Sequence, residues 1–260
     1  MRSKTLRLLI GVLISAVFLW LALRGLHLAD VWGSLRSADY IWLIPSIAVY
    51  FVAVWARTWR WDYLLRPIKR ISLGRLFPVV VIGYMGNNVY PFRAGEVLRA
   101  VVLRQRESVA VSSSLATIVV ERVFDGLVML LFVFVALPFA PLPSDSIRFV
   151  VILGSVLFFG ALLVFLAVAA VPARFLRLAE WLVSHLVPQR LRAPLLGFAE
   201  RFVEGLLCLR DPRNLAMIFL TSVVIWLLET VKYWFVMHAF DFTVSFFALM
   251  LMNGIVNLAT

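Results

Sequence analysis

Seven apolar segments follow one another along this chain, at residues 8–23, 40–56, 76–99, 109–139, 149–171, 215–240 and 246–260, with polar stretches between them. A helix rises ~1.5 Å per residue and the hydrocarbon core of a bilayer is ~30 Å thick, so about 20 apolar residues make one crossing. Composition agrees: 63% of the 260 residues are hydrophobic and 15% are charged, against roughly 45–50% and ~25% in soluble domains. A soluble domain, a disordered chain and a coiled coil are thereby excluded. The sequence predicts an all-α, polytopic integral membrane protein made of one domain over residues 1–260. Its last apolar segment stops at Thr260 without a polar flank, so the domain is expected to be truncated there.

The formal charge of +11 would point to nucleic acid in a soluble protein, but here it bears on orientation. Eighteen of the 25 basic residues lie in the N-terminus, residues 57–75, Arg104 with Arg106, and residues 172–213; the intervening loops hold Arg24, Arg36 and Arg148. Basic residues collect on the cytoplasmic side, which places the N-terminus there. Arg2, Lys4 and Arg7 ahead of Leu8–Leu23 fit a signal peptide or an uncleaved anchor. The length of the run and the lack of a small-residue cleavage site favour the anchor. Cys208 is the single cysteine, and His27, His185 and His238 are scattered, so neither a disulfide nor a metal site is expected.

Residues 76–99 are unusual for a span. Gly83, Gly86, Asn87, Asn88, Pro91 and Gly95 disfavour one continuous lipid-exposed helix, and irregular backbone at membrane depth survives only against protein or a wet cavity. The segment is expected to break between Gly83 and Glu96 and to return as a re-entrant hairpin towards Arg104 and Arg106. In residues 172–213, Phe175, Leu178, Leu182 and Leu186 share one helical face, and Leu195, Phe198, Phe202 and Leu206 repeat the pattern. Two amphipathic helices lying on the cytoplasmic membrane surface are expected.

The candidate site is Asn87, Asn88, Arg93, Glu96, Arg99, Glu121, Arg122 and Asp125, with Glu229 and Lys232 as a secondary pair. A charge at the bilayer centre costs roughly 2.5–3.5 kcal/mol on insertion scales, so six unpaired ones would cost on the order of 15–20 kcal/mol. Three cations and three carboxylates at helical spacings could instead neutralise one another around a polar cavity. An interfacial salt-bridge network that fixes helix packing is the competing reading, and Glu229 with Lys232 could be no more than an intrahelical ion pair. The chain shows no phosphate-binding glycine loop, nucleotide fingerprint or catalytic triad, and no cofactor is implied.

The run Asn87-Asn88-Val89-Tyr90-Pro91-Phe92-Arg93-Ala94-Gly95-Glu96-Val97-Leu98-Arg99, followed by Ser112–Ala116 and by Glu121-Arg122-Val123-Phe124-Asp125, resembles the lysylphosphatidylglycerol synthase transmembrane-region family. The resemblance runs from the first span to Thr260. It implies a flippase-like domain of the inner membrane of a bacterial or archaeal cell that moves a lipid, or a lipid-linked group, between leaflets. The soluble aminoacyl-transferase domain of the bifunctional members is not part of it, so synthase activity is not implied. The expected partners are membrane lipids with a phosphate-bearing headgroup, and a homo-oligomer is compatible with the pattern. Arg93, Arg99 and Arg122 would hold the phosphate, with the planar fork that guanidinium offers. Glu96, Glu121 and Asp125 would orient them or take a cationic group or proton, and Asn87 and Asn88 would serve where the backbone unwinds. An intramembrane enzyme with Glu121 or Asp125 as general base, and a scaffold with a structural charge network, remain the alternatives.

Overall fold

A computed structural model describes residues 28–90, 93–137, 139, 149, 152–160, 162–163, 171–240 and 242–259. The expected N-terminal anchor, and residues 150–151, 161 and 164–170 of the expected 149–171 span, lie outside these residues. The helices are α1 (Leu28–Ser37), α2 (Leu43–Leu65), α3 (Leu73–Val89), α4 (Ala94–Glu107), α5 (Val111–Ala136), α6 (Pro172–Leu186), α7 (Gln189–Gly205), α8 (Pro212–His238) and α9 (Phe246–Ala259). Short 3-10 turns at Tyr40–Trp42 and Leu206–Arg210 lead into α2 and α8. Among the described residues, Tyr40–Leu65 and Pro212–His238 are long and apolar enough to cross a membrane, and Phe246–Asn257 is a shorter apolar helix. Helix α5 is comparably long, at 26 residues, but carries Glu121, Arg122 and Asp125.

Helices α2 and α8 form an antiparallel pair. The Asp39 amide donates to the Ala239 carbonyl (2.9 Å) at one end, where Trp42 stacks on Phe235. At the other end α8 starts on a local signal: the Asp211 carboxylate accepts from the Arg213 amide (2.9 Å), and Pro212 takes the first helical position, where an N–H would lack a partner. The second span differs from the expected 40–56. The helix continues through Arg57 and Arg60 to Leu65, and both arginines are buried. They need not leave the membrane, because carboxylates on α5 and α8 receive them. The polar loop therefore shortens, and these two residues drop out of the basic asymmetry used for orientation.

Helices α3 and α4 make a hairpin that begins and ends at the same end of the bundle. Glu107, at the foot of α4, is pinned by Lys69 (3.1 Å) and Arg75 (3.2 Å) from the segment before and inside the first turn of α3. At ~1.5 Å per residue, the 17 residues of α3 reach about 25 Å, short of a ~30 Å core. The helices part inside the expected Gly83–Glu96 window, towards its later end. Helix α3 runs unbroken through Gly83, Asn87 and Asn88 to Val89, and α4 restarts from Arg93, which sits in the left-handed region (φ 52°, ψ 34°). The two arms touch through glycines: a β-carbon on Gly95 would fall 2.0 Å from the Gly83 carbonyl oxygen, and one on Gly86 would fall 2.8 Å from the Gly95 Cα. The glycines thus allow close helix approach, as small residues do inside membranes, and the chain turns beyond them.

The amphipathic stretch is also modified. Helix α6 has no buried residue, as a surface helix should. Helix α7 instead docks its C-terminal end on the start of α5, where Gly205 lies against Ala116 and the Ser113 carbonyl, and Leu206 and Cys208 are buried in the core. Two apolar clusters result. One gathers Trp61, Leu64, Leu76, Val80, Leu103 and Val120, and the other Val128, Phe132, Val133, Trp226 and Met250. On α5, Glu121, Arg122 and Asp125 fall at the seam between them.

Candidate functional site: a buried ion network at the seam

Four helices supply the network. From α4, Arg99 donates to Glu121 on α5 (2.5 Å) while its guanidinium stacks over the Trp61 ring at 4.3 Å. From α2, Arg60 donates to the Asp125 carboxylate (2.5 Å) and to the Ser222 hydroxyl of α8 (2.9 Å), and its Nε lies 3.9 Å from Glu121. Arg122 bridges Glu96 (3.4 Å) and Asp125 (3.3 Å). The Trp226 indole N–H also donates to Asp125 (2.8 Å). Arg60 and Glu121 side chains are each 1% exposed, so neither charge is answered by bulk water. A charge so placed must be paired, since an unpaired ion in low dielectric carries a penalty of several kcal/mol.

The secondary pair belongs to the same assembly. Glu229 is held by Lys232 one turn further along α8 and by Arg57 of α2 (2.7 Å). The Arg57 guanidinium lies 5.1 Å from the Tyr84 ring centroid and 6.0 Å from that of Trp226, the residue that also binds Asp125.

Of the sequence candidates, Glu96, Arg99, Glu121, Arg122 and Asp125 are brought together. Arg93 and Arg122 lie on the wall of an adjoining cavity of about 350 Å³, with Asp125, Trp226 and Asn257, and with Phe158 packed on Gly126. Asn87 lines a chink of about 10 Å³ with Glu96, Arg99 and Arg122, and its side-chain oxygen is buried without a hydrogen-bond partner. Asn88 is exposed. Both asparagines sit inside regular helix, so neither serves an unwound backbone, contrary to expectation. Glu96 and Arg99 pair across to α5, although their mutual spacing also suits an intrahelical pair.

Arg57, Arg60, Ser222 and Trp226 were not anticipated. A signal for the arginines is present, because Trp61, Leu64 and Leu65 resume the apolar pattern immediately after Arg60. An apolar run that continues past its charges differs from one that ends at them. A larger cavity, about 640 Å³, lies elsewhere, among Tyr233, Met237, Phe240, Phe242 and Leu249. It carries none of the network's charged residues.

Apolar helices closed around a multi-helix ion network define an all-helical integral membrane protein. Residues 8–260 match the family described as the lysylphosphatidylglycerol synthase TM region, and the chain belongs to that family. It is similar to two UPF0104 membrane proteins of Methanothermobacter thermautotrophicus, each 26% identical; one match spans 83% of this chain and 68% of the relative, the other 95% and 73%. It is also 32% identical to Glycosyltransferase AglD of Haloferax volcanii, over 47% of this chain and 20% of that protein. The chain thus matches only a fifth of the glycosyltransferase's length. No solved structure matches the chain.

Proposed function

We propose that this protein carries the phosphate-bearing headgroup of a membrane lipid between leaflets, the headgroup passing by the ion network while the acyl chains stay in lipid. The observation that supports the reading most directly is the cavity of about 350 Å³ beside the network, whose wall holds Arg93 and Arg122. Guanidinium groups offer paired donors in a plane that suits phosphate, and the neighbouring carboxylates hold Arg122 in place. The remaining positive-inside asymmetry favours the cytoplasmic side for the foot of the α3–α4 hairpin, and the headgroup would then enter from the cytoplasmic leaflet.

The test is leaflet-specific lipid transfer in proteoliposomes, run beside thermal unfolding in detergent. Arg122→Gln is expected to stop transfer while the protein still inserts and folds. Normal transfer by folded Arg122→Gln protein would sink the transport reading and leave a packing network. Recovery of chemically unchanged lipid separates transport from an enzyme acting on lipid.

A further inference from the structure

Helix α9 enters the site through two asparagines that the charge pattern does not single out. Asn257 lies on the wall of the cavity of about 350 Å³, with Arg122, Asp125 and Trp226. Asn253, one turn earlier, is buried, as is Thr230 of α8. Hydrogen bonds join the three. Asn257 Nδ2 donates to the Asn253 backbone carbonyl (2.9 Å) and to Asn253 Oδ1 (2.9 Å). Asn253 Nδ2 donates to the Thr230 hydroxyl (3.3 Å), which donates in turn to the Trp226 carbonyl (2.9 Å).

These bonds run in one direction. A backbone carbonyl can only accept, so the amide nitrogen of Asn257 must face Asn253. Its Oδ1 is then the end of the chain, and it accepts no hydrogen bond from the described residues. The other polar side chains on the wall are donors or are already engaged. Arg93 and Arg122 can only donate. The Trp226 N–H is spent on Asp125, whose two oxygens receive Arg60 and Arg122 as well. Asn257 Oδ1 is therefore the acceptor that the described side chains of this wall leave for a ligand.

Resting on the transport reading, we propose that Asn257 sets headgroup specificity: with the phosphate beside Arg122, Asn257 Oδ1 receives an O–H or N–H of the group esterified to that phosphate. The hydroxyls of a glycerol headgroup and the ammonium of an ethanolamine headgroup both supply such a donor. The trimethylated nitrogen of choline supplies none. Asn257 is half-buried, so a choline headgroup strands its oriented acceptor away from water and slows transfer by roughly tenfold.

The experiment places the protein in phosphatidylcholine vesicles with a trace of one lipid labelled on an acyl chain: phosphatidylglycerol, phosphatidylethanolamine, its N,N-dimethyl derivative or phosphatidylcholine. The dimethyl headgroup keeps one N–H at nearly the bulk of choline, so it separates the donor from size. The first three should transfer roughly tenfold faster than phosphatidylcholine. Asn257→Leu, shown to be folded by its melting temperature, should bring all four to the phosphatidylcholine rate. Equal wild-type rates, a dimethyl probe as slow as phosphatidylcholine, or an unchanged ranking in folded Asn257→Leu would each overturn the role of Asn257 while leaving transport intact. If Asn257→Leu does not fold, the wild-type comparison of the dimethyl probe with phosphatidylcholine decides. If no probe moves above the protein-free rate, the transport reading fails and this one with it.

Discussion

At the scale of single residues, a buried ion network shows its energetics when one member is removed. Taking two charges out of water can cost more than their attraction returns, so an intact buried pair contributes little net stability, whereas stranding one partner costs about 3–5 kcal/mol. Arg99 and Glu121 are 2.5 Å apart, and their side chains are 5% and 1% exposed. Glu121→Gln and Arg99→Met should therefore each lower the unfolding free energy by about 3–5 kcal/mol. The double variant should lose clearly less than the two together, with a coupling of about 0.5–3 kcal/mol. Denaturant unfolding in detergent of the four proteins measures this, and strict additivity would show that the pair does not act as one unit. How much of the network the sequence disclosed depends on how far each partner lies along the chain. The contacts of Arg122 with Asp125 and of Lys232 with Glu229 are three residues apart and follow from helix geometry alone. Arg60 reaches Asp125 across 65 residues and Ser222 across 162. No local pattern reports such a partner, so an arginine at the edge of an apolar run reads as the start of a loop.

At the scale of elements, the α3–α4 hairpin shows why its break was legible and the part played by its glycines and asparagines was not. Glycine, asparagine and proline within a few residues signal an interruption, but each type can act in more than one way. Here Gly83, Gly86 and Gly95 are spent on close packing between the arms. Helix α4 starts after Arg93, which takes a left-handed conformation uncommon outside glycine. The arms carry Arg99 and Glu96 to α5, so their spacing sets the network's geometry. A methyl group at Gly95 would meet the Gly83 carbonyl at 2.0 Å and the Asn87 amide nitrogen at 2.4 Å. Both obstacles are backbone, which cannot rotate aside. Gly95→Ala should therefore force the arms apart and cost at least about 1–3 kcal/mol, the usual range for overpacking. A melting temperature unchanged from wild type would show that the arms do not pack in this way.

At the scale of the whole molecule, orientation is what would give the proposed transfer a direction. The feet of the hairpin, the start of α5 and the start of α8 share one end of the bundle, through Glu107 with Lys69 and Arg75 and through Gly205 on α5. Assigning any one of these to the cytoplasm assigns them all, and α6 is connected to the same end by α7. Even without Arg57 and Arg60, the basic residues of 172–213 favour the cytoplasm for that end. The single native cysteine makes the assignment measurable. Cys208 is fully buried in the 3-10 turn, and burial pushes its thiol up to about 12, so at neutral pH it is almost entirely protonated and a poor nucleophile. It should stay silent towards a membrane-impermeant maleimide, with a reaction that accelerates only as the pH rises towards that value. Ser184 lies exposed on α6, and Ser184→Cys supplies a reactive thiol against this quiet background. In cells, labelling of Ser184→Cys should require permeabilisation of the membrane, since the proposed cytoplasmic orientation would hide it from the outside. Labelling of intact cells would invert the bundle, turning the hairpin's feet and the approach to Arg122 towards the outer leaflet and reversing the direction of entry.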